Sequence, residues 1–260
     1  MSTGIVICAS TRPYLKLARK LIASVRLTEG DWIPICLFTT GDQLDFSLIV
    51  GASEVRILNR PTLSWGDKIE AIAKTPFEKT IYIDCDVMAV RPFAKELEKA
   101  LNHFPFLCNG GMSFNEEWEY TDYPIALSQM NSGVIAFKSS LVPEVFERWK
   151  YLYNTRKAYG DQATLRASLL DCKIPWFSLA SEWNCQPTAI LNYKPYLLHF
   201  TGDKNLALDD RYRAYVKYSY EHVFDGLGAL ASISWQHIPG LYYCPDSYTW
   251  KKVLFKPGDA

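Results

Sequence analysis

Residues 4–9 form an apolar run that stops at the polar Ser10-Thr11-Arg12-Pro13, the pattern of a strand giving way to a loop. Leu15, Ala18, Leu21, Ile22 and Val25 then recur at helical spacing, which predicts an amphipathic helix over 14–25. Apolar runs at 33–38 and 54–58 predict a second and a third strand, and 67–74 a short helix closed by Pro76. Residues 80–90 make the longest strand-like segment. Beyond it the pattern predicts a strand at 133–137, helices at 141–153 and 161–170, strands at 175–179 and 196–200, and a helix over 206–223. Such alternation predicts an α/β domain with a mostly parallel central sheet flanked by helices.

The stretch 109–129 breaks this rhythm. It carries Gly110-Gly111, Glu116-Glu117 and the aromatics Phe114, Trp118, Tyr120 and Tyr123 with little periodicity, which predicts a long loop of the functional or mobile kind. No internal repeat, linker or low-complexity segment interrupts the chain.

Lys plus Arg and Asp plus Glu each total 28, so the chain is formally neutral. That balance argues against a nucleic-acid binder, which shows a basic excess or patch. The seven cysteines have no CxxC pairing and are odd in number, which reads as reduced thiols in a reducing, cytoplasmic compartment. The start has no cationic region ahead of its apolar run, so no signal peptide is expected, and no apolar stretch reaches membrane-spanning length. Lys251, Lys252 and Lys256 flank Val253-Leu254-Phe255, which leaves a peripheral membrane contact open beside an aromatic tail packed on its own domain.

Asp84 and Asp86 are the sharpest chemical signal, because they sit inside the apolar run Ile81 to Val90. Residues two apart on a strand share a face, so the two carboxylates project together. Side by side in an apolar context they repel and resist desolvation. A divalent cation with a preference for hard oxygen ligands offsets that cost; the alternative is a strand that ends at Asp84 with both acids in water.

Several separated motifs, in this order, resemble the GT-A glycosyltransferases of family 8, the group of glycogenin and bacterial galactosyltransferases. They are Lys68, sixteen residues before the Asp84-Cys85-Asp86 DxD motif, then Asn131-Ser132-Gly133-Val134, Asp161-Gln162, Trp183-Asn184 and His199-Phe200-Thr201-Gly202. The resemblance covers roughly residues 4–204 and implies a GT-A domain over 1–205, with an acceptor loop at about 109–130 and a helical, aromatic extension at 206–260 packed on it. It implies that Asp84, Asp86 and His199 bind Mn²⁺ or Mg²⁺ and that the nucleotide-sugar donor meets Ser10, Thr11, Arg12, Tyr14, Lys68, Gly202 and Lys204. Asp161, Gln162 and Asn131 would then face the reacting sugar. The activity implied is retaining transfer from a UDP-sugar to a saccharide, lipid-linked or protein acceptor. Two departures stand out. Arg12 occupies the place of an acid in glycogenin-like members, and Lys204 follows His199 by five residues rather than six.

Each of these residues also has a plainer reading. His199 suits a hydrogen-bonded core position at a strand end, Lys68 a helix surface, and Asp161 the N-cap of the helix after it. Asn131 and Asn184 can satisfy backbone groups, Trp183 can pack, and Ser10-Thr11-Arg12-Pro13 is an ordinary helix entry. Two other functions compete: an inactive sugar-nucleotide or carbohydrate-binding module, and a sugar nucleotidyltransferase. The second needs a glycine-rich basic loop after the first strand, where this chain has no glycine.

Overall fold

The computed structural model describes residues 2–43, 46–59, 61–112, 123, 129–156, 161–186, 194–200, 241–244 and 249–252. The chain forms two compact units, Met1–Tyr218 and Ser219–Ala260. In the first, β1 (Thr3–Ala9) leads to α1 (Arg12–Glu29), β2 (Ile35–Thr39), β3 (Glu54–Ile57), α2 (Trp65–Ala73), β4 (Lys79–Ile83) and β5 (Val87–Ala89). Then follow α3 (Ala94–Ala100), β6 (Phe106–Met112), β7 (Gln129–Lys138), α4 (Pro143–Arg156), α5 (Asp161–Asp171), β8 (Trp176–Leu179) and β9 (Leu197–His199).

Seven of these strands form one sheet in the order β3-β2-β1-β4-β7-β6-β8. Pairs β3-β2, β2-β1, β1-β4 and β6-β8 are parallel, and β7 alone opposes its neighbours β4 and β6. The sheet is the mostly parallel one that the alternation predicts, with helices on both faces. Along β1, Val6 joins a buried cluster with Phe38, Ile69, Tyr82, Phe106, Ile135, Phe137, Trp149 and Leu165, so α2, α4 and α5 cover that face. Ile5 and Ile7, of opposite parity, point to the other face, where α1 lies against β1 and β5. Each fully buried Ile or Leu contributes about 1.5–3 kcal/mol.

Helix ends follow local chemistry. Ser64 caps α2 by accepting the Gly66 N–H at 3.2 Å. Thr11 has the extended backbone of an N-cap before α1 but makes no side-chain cap bond, so the start rests on Pro13 instead. Gly30, at φ 72°, ends α1 by donating its N–H to the Arg26 carbonyl, a left-handed backbone that glycine adopts freely.

Two expectations need correction, and one helix was not foreseen. Residues 80–90 are not one strand: β4 stops at Ile83, Asp84–Asp86 turn, and β5 restarts at Val87. The segment 109–129 is strand at both ends, because β6 runs on to Met112 and β7 starts at Gln129. Helix α3 follows Pro92 over seven residues, too short for periodicity to reveal. The expected helix at 206–223, together with Gly202 and Lys204, lies outside the described residues. The second unit contains an antiparallel hairpin, β10 (Leu241–Cys244) with β11 (Thr249–Lys252), in a segment read as helical or aromatic tail. Tyr242, Tyr243 and Trp250 belong to residue types that favour strands. Among the described residues, no helix is long and apolar enough to cross a membrane.

Candidate functional site

In an open α/β sheet, ligands collect beyond the carboxyl ends of the strands where the strand order reverses. Here the chain moves outward from β1 to β2 and β3, then returns to place β4 on the other side of β1. The ends of β1 and β4 therefore flank a crevice. Asp84 follows β4 directly, and its N–H donates to the Gly133 carbonyl at 2.8 Å. The Val87 N–H donates back to the Asp84 carbonyl at 3.1 Å, closing a turn. Asp84 and Asp86 thus converge through this turn and not through strand alternation.

The same turn starts β5, and β5 recruits His199. The two-stranded pairing of β5 with β9 sets Val87 opposite His199, and the Phe200 N–H donates to the Asp86 carbonyl at 3.0 Å. His199 Nε2 lies 3.3 Å from Asp86 Oδ1 and 4.0 Å from Asp84 Oδ2. The ligand atoms of Asp84, Asp86 and His199 all lie within 4.8 Å of one another. Two ligands about 2.1 Å from one cation stand at most about 4.2 Å apart, so both histidine separations suit a shared ion. Two carboxylates and an imidazole make a donor set for a borderline-hard divalent metal.

Gly133 makes room for the ring. A Cβ there would sit 2.2 Å from His199 Cε1, 2.6 Å from Nδ1 and 2.9 Å from Asn131 Oδ1. Gly133→Ala is therefore expected to displace the imidazole, cost about 1–3 kcal/mol and weaken metal binding. Urea unfolding together with a Mn²⁺ titration checks this; unchanged stability and affinity would contradict it.

Lys68 is buried and faces three acceptors. Its Nζ lies 3.1 Å from Asp84 Oδ1, 2.9 Å from Asp161 Oδ2 and 2.8 Å from Ser132 Oγ. Ser132 in turn donates to Asp161 Oδ2 at 2.6 Å, and Tyr82 OH donates to Asp84 Oδ1 at 2.6 Å. Burial pushes the Lys68 ammonium toward a lower pKa, yet the carboxylates of Asp161 and Asp84 hold it above its ordinary value. Burial raises the Tyr82 phenol well above its ordinary value, with the charge of Asp84 adding to this, so the phenol remains a donor. Lys68 is thus not a surface lysine; it joins the first acid after β4 to the start of α5.

A cavity of about 430 Å³ opens beside these groups. Ser10 and Tyr14 line it from the start of α1, Lys68, Asp84 and Asp86 from its floor, and Leu63, Trp65 and Tyr153 from its wall. Buried Asp67 holds that wall in place. It accepts the N–H groups of Thr62 at 2.7 Å and Leu63 at 2.9 Å, and the Thr62 hydroxyl at 2.9 Å. Leu63 has φ 53°, a left-handed conformation that is costly for leucine, and both Leu63 and Trp65 are exposed.

Of the residues singled out in the sequence, Ser10, Tyr14, Lys68, Asp84, Asp86, Asn131, Asp161 and His199 come together here. Thr11 and Arg12 are not among the residues lining the cavity. Asp161 opens α5, but its side chain turns to Lys68 and Ser132. Gln162 Oε1 is buried without a hydrogen-bond partner among the described residues. Asn131 Oδ1 accepts from the Gly133 N–H and from Asn184 Nδ2, so Asn131 serves strand β7 at its entrance. Trp183 stacks on Tyr196 with centroids 4.2 Å apart, and Arg91 lies over the Tyr196 ring. Sequence reading missed Tyr82, Leu63, Trp65 and the clamp by Asp67. Only Tyr82 had a signal, its shared strand parity with Asp84.

No protein-family model and no curated protein matches the chain by sequence. Its fold, in contrast, matches solved structures. One is the galactosyltransferase LgtC in complex with donor and acceptor sugar analogs, with a TM-score of 0.62, 13% identity, and coverage of 90% of this chain and 99% of that one. A second is the glycosyltransferase GlyE of Streptococcus pneumoniae TIGR4, with a TM-score of 0.57 and 13% identity over 85% of this chain and 64% of that one. A third is the bifunctional glycosyltransferase WbbM, with a TM-score of 0.56 and 10% identity over 86% of this chain and 51% of that one. The architecture is accordingly of the GT-A type.

Proposed function

We propose that this chain is a glycosyltransferase of family 8 type that moves a sugar from a UDP-sugar to a saccharide acceptor with retention of configuration and needs Mn²⁺ or Mg²⁺. The observation that carries it is the convergence of Asp84, Asp86 and His199 beside a cavity at the reversal point of a GT-A sheet. LgtC, which shares the fold, was solved with donor and acceptor sugar analogs, and this supports a sugar donor and a saccharide acceptor here. Lipid-linked and protein acceptors belong to the same proposal. When bound, the cation supplies positive charge to the diphosphate that departs as the anomeric C–O bond breaks.

The chain's own residues have separate tasks. Asp84, Asp86 and His199 hold the ion. Tyr14, at the cavity wall, offers a ring face to the base, and Ser10 a hydroxyl to the nucleoside. Lys68 keeps Asp84 and Asp161 in fixed relation, and Gln162, beside Asp161 at the start of α5, is assigned to the face of the reacting sugar. Asp161 is held by Lys68 and Ser132, Asp84 by Lys68 and Tyr82, and Asp86 faces His199. With these three of the described carboxylates so engaged, front-face departure and attack is the route proposed. The free cysteines fit a cytoplasmic setting: burial pushes the thiols of Cys36, Cys108 and Cys185 up to about 12, as small apolar groups.

A thermal-shift series with UDP, other nucleoside diphosphates and their sugars, with and without Mn²⁺, tests the proposal. At a hundredfold excess over Kd, UDP with Mn²⁺ is expected to raise Tm by about 5–10 °C, with a smaller rise when the metal is withheld. No metal-dependent shift with any nucleotide would defeat it. Binding without donor hydrolysis or transfer across a broad acceptor panel would favour an inactive binding module.

A further inference from the structure

The hydrogen bonds behind His199 have only one consistent assignment of donors and acceptors. The Gly133 backbone N–H can only donate, and it points at Asn131 Oδ1 at 2.8 Å, so that atom is the amide oxygen. Asn184 approaches the same oxygen at 2.7 Å and must present its NH₂ group. The remaining atom of the Asn184 amide, its carbonyl oxygen, then lies 2.8 Å from His199 Nδ1. A carbonyl oxygen accepts only, so Nδ1 must carry a proton. In a neutral imidazole this leaves the lone pair on Nε2, the atom directed at Asp86 and Asp84.

The backbone enforces the same arrangement. Cys185 pairs with Leu198, with the Cys185 N–H donating to Leu197 and the His199 N–H to Cys185, so Asn184 is held in register beside His199. Asn131, Asn184 and His199 are 7%, 7% and 4% exposed, which leaves little access for water to replace either amide.

We propose that Gly133, Asn131 and Asn184 form a directional relay that fixes His199 as the Nδ1–H tautomer, which makes Asn184 a positioning residue for Nε2. The link to metal binding rests on the proposed role of His199; the tautomer itself does not. A ligating histidine held from behind in this way is oriented and made more basic, and loss of such a partner costs about 10–100-fold in metal affinity.

Long-range ¹H–¹⁵N NMR of metal-free protein labelled at histidine nitrogen, at about pH 8, reads the tautomer, with His199→Gln assigning the signal among the four histidines. The wild-type protein is expected to show Nδ1–H. A dominant Nε2–H form, with no proton on Nδ1, would overturn the relay without any variant being needed. Asn184→Leu is expected to lose the preference for Nδ1–H and to bind Mn²⁺ about 10–100-fold more weakly. Asn131→Asp, which keeps an acceptor for Gly133 and Asn184, is expected to retain the wild-type tautomer. An unchanged tautomer in Asn184→Leu would refute the relay. A shifted tautomer in a protein that binds no Mn²⁺ even as wild type would uphold the relay and refute the metal site.

Discussion

Asp86→Asn is expected to lower metal-dependent transfer by about a hundred- to a thousandfold while leaving the fold intact. The asparagine has the same shape and keeps an oxygen, so the turn between β4 and β5 survives; the carboxylate charge does not. Removing one preorganised charge-stabilising group from a transition state typically costs about 3–4 kcal/mol, which gives that range. Initial rates over a Mn²⁺ series, alongside thermal unfolding of the apo protein, separate the two effects. Wild-type turnover in the variant would contradict a metal role for Asp86.

Lys68→Met is expected to destabilise the metal-free protein by about 3–5 kcal/mol, because two acids would lose their shared buried cation. The Lys68 side chain is 7% exposed, as is that of Asp161, so solvent screens the pair little. The pH dependence follows from the raised lysine pKa. The stabilisation is fully present below the ordinary lysine value of 10.5 and is lost only as pH rises through the higher value of the folded state. The gap between wild type and variant should therefore be constant near neutrality and close in alkali. Denaturant unfolding across that range checks both parts, and a neutral-pH loss under about 1 kcal/mol would contradict the buried-pair account. Adding Asp161→Asn to the variant should restore part of the loss, since it removes one of the two unpaired charges.

What the sequence discloses about this site depends on how local each signal is. Strands β1, β2, β3 and β7 and helices α1, α2, α4 and α5 are legible as apolar runs or helical patterns, whereas β6 and the seven-residue α3 are not; Asp84 and Asp86 stand out because acids in an apolar run are conspicuous. Their turn was hidden, since Ile81 to Val90 reads as continuous strand until Cys85 is seen to occupy the bend. His199 was placed beside the acids by motif order alone; the physical cause, the pairing of three-residue β5 with three-residue β9, is too short for any periodicity to display. Asp67 looked like one more acid in the first turn of a helix, and only three-dimensional packing shows it bent back to clamp Thr62 and Leu63. Gly133 offered no turn signal of its own, and its requirement comes from a ring that arrives sixty-six residues later in the chain.

Lys68 shows the same limit from the other side. Its spacing to Asp84 marks it, but spacing does not reveal the internal tie that the three acceptors around its ammonium make.

The central claim is a single divalent cation shared by Asp84, Asp86 and His199, and anomalous diffraction at the manganese edge from crystals grown with Mn²⁺ and UDP tests it most directly. The prediction is one strong peak about 2.1 Å from a carboxylate oxygen of each aspartate and from His199 Nε2. A peak bound elsewhere, or one that contacts the acids while the imidazole stands apart, would contradict it.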